Sequence, residues 1–67
     1  MKVVSGKEMC RILARHGWAL IRIRGSHHLY GHGNLRIEVP VHANKDLKHR
    51  LQRKIMRDAG LTDADLT

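Results

Sequence analysis

Six histidines are spread through a chain of 67 residues, and three of them, His27, His28 and His32, fall in the stretch RIRGSHHLYGHG from Arg22 to Gly33. Imidazole gains and loses a proton near neutral pH and is also a common zinc ligand, so the cluster raises two chemistries. Zinc needs three or four ligands converging on one point. Read as a strand, the segment cannot supply them: residues rise by roughly 3.3 Å and alternate faces, which sets His28 and His32 roughly 13 Å apart and turns His27 away from both. The one cysteine, Cys10, has no partner thiol to complete a site. No metal and no cofactor is expected.

Acid/base chemistry asks for less. RNA carries its own nucleophile, so a base that removes the 2′-hydroxyl proton and an acid that protonates the leaving 5′-oxygen suffice to cut it. Arginines beside the phosphate would offset charge in the transition state. Arg22, Arg24 and Arg36 stand on neighbouring strands and are the candidates. Cys10 follows Met9 within a helix and reads as a small buried hydrophobe rather than a nucleophile. His16 suits a helix C-terminus. His42 and His49, in or beside a basic loop, read as phosphate contacts at most. For His28, Tyr30 and His32 the pattern suggests packing beneath or beside the sheet, with the Tyr30 hydroxyl reaching water.

Composition narrows the partner. Lys and Arg number 13 against 6 Asp and Glu, giving a formal net charge of +7 and a pI near 10.6. That is the electrostatic footprint of a polyanion binder. The cations recur along the chain instead of forming a tail, and Lys45, Lys48, Arg50, Arg53 and Lys54 are expected to attach RNA along a second helix. A chain of this length makes one domain, 1–67, with no linker or repeat. A lone cysteine and the lack of a signal-like or membrane-spanning apolar run point to a soluble cytoplasmic protein.

The elements that must position these residues are legible from period and punctuation. Ser5-Gly6-Lys7-Glu8 fits a capping box with Val4 and Met9 as its staple, and Met9, Ile12, Leu13 and His16 share one helical face. The spacing predicts a helix over 6–16, stopped by Gly17. From Trp18 to Arg24 the period becomes two, with Ala19, Ile21 and Ile23 alternating with Leu20, Arg22 and Arg24 as a half-buried strand. Gly25-Ser26 turns the chain into a strand from His27 to His32, and Gly33-Asn34 turns it again into Leu35–Val39, ended by Pro40. A second helix is expected with Asp46 as its cap, an apolar stripe of Leu47, Leu51, Ile55 and Ala59, and a Gly60-Leu61 stop. Thr62 to Asp65 could form a last capped turn. The expected fold is α+β, in the order α1-β1-β2-β3-α2, with both helices on one face of a three-stranded antiparallel sheet.

These residues also carry a resemblance. GSHHLY after a basic strand, EVPVH in the third strand, KDLK before the second helix and RDAGL at its close, together with SGKEMCRIL and HGW, are similar to the HicA toxins. These are small ribonucleases of bacterial and archaeal toxin–antitoxin pairs. The resemblance implies a fold like the double-stranded-RNA-binding domain, metal-independent cleavage of mRNA, and neutralisation by a HicB antitoxin. It implies that the histidine directly after Gly-Ser is catalytic, which is His27 here, presented by the Gly25-Ser26 turn. One departure stands out: His49-Arg50 occupies the place where family members commonly carry Gly-Thr. A non-catalytic module binding double-stranded RNA is the main alternative. A DNA-binding domain lacks the expected helix-turn-helix pattern.

Overall fold

Ser5 opens the first helix as its sequence predicts. A computed structural model describes all residues, 1–67, and in it the Ser5 Oγ accepts the Glu8 amide at 3.1 Å at the start of α1, Gly6–Arg15. Val4 and Met9 are both fully buried, as a staple requires. The other half of the capping box does not form. The Ser5 backbone pairs instead with Asp46 in an isolated antiparallel bridge, and the Glu8 carboxylate lies 3.7 Å from Arg11.

Three strands follow: β1 (Ala19–Arg24), β2 (His27–His32) and β3 (Leu35–Pro40), antiparallel in the order β1-β2-β3. Both connections are two-residue turns, and Gly25 (φ 58°) and Gly33 (φ 59°) take the positive φ that such turns demand. The turns fix the register, pairing Arg24 with His27, His32 with Leu35, and His27 with Pro40. Tyr30, Ile37 and Val39 point to the helices and are buried. The face of β2 that carries His27, Leu29 and Gly31 is therefore the open one.

Strand β1 departs from the expected half-buried alternation. Its ladder slips between Leu20 and Arg22, leaving Ile21 as a bulge, and every residue of the strand is exposed. The bulge moves Ile21 to the open face, where its Cδ1 lies directly over Gly31. Ala19, Ile21 and Ile23 do not form a buried face because β1 is an edge strand that the helices leave largely uncovered.

The second helix, α2, starts later than the sequence suggests. It spans His49–Ala59 with Lys48 at the cap position and no capping side chain. Asp46 is held in the bridge to Ser5, and the Leu47 amide donates to the Val4 carbonyl at 2.9 Å, so 46–47 remain extended. Leu47 is buried all the same. Gly60 (φ 69°) stops the helix, and the Leu61 amide returns to the Met56 carbonyl at 2.8 Å, the long-range bond of a Schellman motif. A last 3-10 turn, Asp63–Leu66, carries a complete capping box between Thr62 and Asp65. Arg15 ties it to α1 by donating to the Thr67 carbonyl at 2.8 Å. The chain is thus an α+β fold in the expected order α1-β1-β2-β3-α2. No helix is long and apolar enough to cross a membrane.

Candidate active site

His27 is the first residue of β2, delivered by the Gly25-Ser26 turn onto the open face of the sheet. Its neighbours follow from register. Arg24 is directly opposite on β1, and Pro40 directly opposite on β3. Glu38, which pairs with Leu29, occupies one diagonal, and its Oε1 lies 3.1 Å from the His27 Nδ1. The two groups lie within ion-pair distance, and the His27 Nε2 has no protein partner. Both side chains are about half exposed, 54% and 56%, so a substrate reaches them without any movement of the chain.

The three arginines do not contribute equally. Arg22 and Arg24 pair with Leu29 and His27 and share their face. Arg36 shares it too, but pairs with Gly31, four residues along β2 from His27, a separation of roughly 13 Å. Its Nη1 donates to the Gly33 and Leu35 carbonyls at 2.9 and 2.8 Å. Arg36 is thus a brace for the second turn. Arg24 is the cation at the His27 end.

The remaining members of the histidine cluster lie elsewhere. His28 turns to the helix side, with its Nδ1 4.0 Å from the Cys10 Sγ. His32 stacks on Trp18, ring centroids 5.4 Å apart. His16 lies 3.6 Å from Asp65. Tyr30 is buried beside Cys10, and burial together with that thiol pushes its pKa from 10.0 up to about 12. Burial likewise raises Cys10, despite the Tyr30 hydrogen bond, which keeps the thiol protonated and unreactive. No three His, Cys, Asp or Glu side chains converge on a point that could hold a metal ion.

Residues 6–61 match the family described as HicA toxin of bacterial toxin-antitoxin. The chain belongs to the HicA toxin family. The match takes in all of α1, the sheet and α2, hence the Gly25-Ser26 turn, His27 and Glu38. No curated protein matches the chain. Membership makes it the toxin member of a toxin–antitoxin pair, with an antitoxin as partner.

In this HicA toxin the other cations gather on the helix side. Arg50, Arg53, Lys54 and Arg57 line a furrow along α2. Lys54 is partly neutralised by Asp58 at 2.9 Å, a contact that holds the Asp58 carboxyl below the usual carboxylate range. Lys45 and Lys48 line a smaller groove of about 270 Å³ with Pro40, His42 and Asp46, at the edge where β3 leads into α2. The edge groove shares Leu51 with the α2 furrow and includes Pro40, the residue opposite His27. Arg57, a basic residue of the second helix not counted among the candidate RNA contacts, also belongs to the furrow. Glu38 is the other addition, and two-residue turns at Gly25-Ser26 and Gly33-Asn34, applied as strict register, place it diagonal to His27.

Proposed function

We propose that the chain is a metal-independent endoribonuclease that cleaves mRNA, with His27 as the acid/base group, and that a HicB-type antitoxin neutralises it. The observation that carries this reading is the His27–Glu38 contact on an open, cationic face. A neutral imidazole whose Nδ1–H donates to a carboxylate presents an Nε2 lone pair, the form a general base requires. Arg24 and Arg22 share the face of His27, one opposite it and one opposite Leu29, and a guanidinium that reached a phosphate there would stabilise the charge that builds up at phosphorus. The Gly25-Ser26 turn supports the role by setting His27 directly opposite Arg24 at the end of β1.

Attachment is the work of the other face. Lys45, Lys48, Arg50, Arg53 and Lys54 offer phosphate contacts that carry no sequence information. A strand running from the α2 furrow through the groove at Pro40 would reach His27 around the β3 edge. An acidic antitoxin covering the open face would occlude His27 and satisfy Arg22 and Arg24 together.

End-labelled RNA incubated with the protein and a chelator tests the reading. Cleavage is expected, and His27→Ala or His27→Gln should slow it about 10²- to 10⁴-fold while binding persists. The α2 furrow alone favours the alternative of a non-catalytic double-stranded-RNA binder, which gives retention of duplex RNA and no products.

A further inference from the structure

Transesterification of RNA moves two protons, one off the 2′-oxygen and one onto the 5′-oxygen, and His27 accounts for one of them. We infer that His42 supplies the other, as the general acid for the leaving 5′-oxygen; this rests on the ribonuclease reading above.

The β2–β3 ladder pairs His28 with Val39 and His27 with Pro40. It continues one step past the strand, because the Val41 amide donates to the Ser26 carbonyl at 2.7 Å. His42 is the next residue. Successive side chains alternate faces, so His42 leaves the ladder on the face of Pro40 and His27, across from Gly25. Gly25 has no side chain, and a Cβ built there meets nothing within 4 Å, so the space beside His42 is open. Along this edge Glu38, Pro40 and His42 therefore succeed one another, with His27 opposite the middle one. Diagonal neighbours across an antiparallel pair are roughly 7–8 Å apart, within reach of long side chains and wide enough to admit a phosphate between two imidazoles.

The surroundings divide the roles. Glu38 faces the His27 Nδ1, and the Nε2 is without a protein partner, open to act as the acceptor. His42 is exposed and lines the groove with Lys45, Asp46 and Lys48, where the phosphodiester enters from α2. The turn that carries it is closed by the Lys45 amide on the His42 carbonyl at 2.9 Å and includes Ala43 at φ 49°. An L-residue in that region is uncommon and costs conformational energy, so the turn's shape is imposed by its setting. In the reaction, His27 takes the 2′-hydroxyl proton and the 2′-oxygen bonds to phosphorus. The bond from phosphorus to the 5′-oxygen breaks, and that oxygen takes its proton from the His42 imidazolium. The products are a 2′,3′-cyclic phosphate and a 5′-hydroxyl, and exchange with water resets both rings.

Two substrates separate the roles: an oligoribonucleotide, and the same strand with sulfur replacing the 5′-oxygen at one linkage. A thiolate leaves without a proton. His42→Ala should slow cleavage of the oxygen substrate about 10²- to 10⁴-fold and of the sulfur substrate less than about tenfold, whereas His27→Ala slows both. His42→Gln, which keeps a polar side chain in the groove, should behave as His42→Ala does. Equal losses on the two substrates, or no loss on the oxygen substrate, overturn the assignment of His42. Failure of the wild-type protein to cut either strand, or undiminished cutting by His27→Ala, overturns instead the ribonuclease reading on which it rests.

Discussion

The Glu38 carboxylate engages His27 at Nδ1, 3.1 Å away, across the diagonal of the β2–β3 pair. The contact turns Nδ1 toward the carboxylate without drawing the histidine into the interior. Because both groups are about half exposed, its energetic worth is that of a solvent-screened pair, ~1 kcal/mol at most. Glu38→Ala should therefore lower kcat about fivefold with KM little changed. Glu38→Gln keeps an acceptor for Nδ1–H but cannot stabilise the imidazolium, so it should recover part of the loss at most. Steady-state rates on one RNA decide this, and a change confined to KM would reject an orienting role.

Binding and cutting should separate by face. Arg53→Glu on the α2 furrow should weaken RNA binding across unrelated sequences and lower the slope of log affinity against log salt. The rate of the bound complex should hold. Arg24→Gln, opposite His27, should do the reverse, costing kcat more than affinity. Filter binding over a salt series, paired with single-turnover cleavage, distinguishes the two.

Alkaline stability should report on Tyr30. Its pKa is raised by folding from 10.0 to about 12, so the folded state holds the phenolic proton more tightly than the unfolded state does. The associated stability is fully present below pH 10 and is lost as the pH rises toward 12. Tyr30→Phe cannot titrate and should lose less stability over that interval than the wild type. Denaturant midpoints at pH 9 and pH 11 measure the difference.

Gln52 tests how the N-terminal segment is held. It is 1% exposed, accepts the Val4 amide at 3.1 Å and donates to the Lys2 carbonyl at 2.6 Å. Gln52→Leu fills the same space but strands the buried Val4 amide and the partly buried Lys2 carbonyl, and should cost about 1–3 kcal/mol of unfolding free energy. RNA cleavage by the folded fraction should be unchanged. A neutral effect in chemical denaturation would show that water replaces the side chain.

The legible parts of the fold were those governed by local rules. Ser5, Gly60 and the pair of two-residue turns each act on their own few residues, and each behaves as its type dictates. The start of α2 was not legible. Asp46 looks like a cap, and only a partner forty residues away, the Ser5 backbone, shows that it is in a bridge. The bulge at Ile21 escaped for a related reason: an edge strand with apolar residues at 20, 21 and 23 satisfies either alternation until a neighbour fixes one. Of the proposed site, His27 was picked out by its motif. Glu38 was not, because a glutamate among arginines reads as a solvated face until register sets it beside a histidine. The bonds Arg36 makes at the second turn were not legible, because sequence gives a side chain's face and not its hydrogen bonds.

The bulge at Ile21 has a consequence for the protein on its own. Leu20, Ile21 and Ile23 are 48%, 47% and 54% exposed along a strand edge with no neighbour. A flat edge of that composition would recruit a second strand, from another molecule if nothing else were available. One extra residue twists the ladder and interrupts the row of amides and carbonyls such a strand would need, and Arg22 and Arg24 add mutual repulsion between copies. Restoring a regular ladder by deleting Ile21 should leave the core intact and turn a monodisperse protein into one that associates edge to edge.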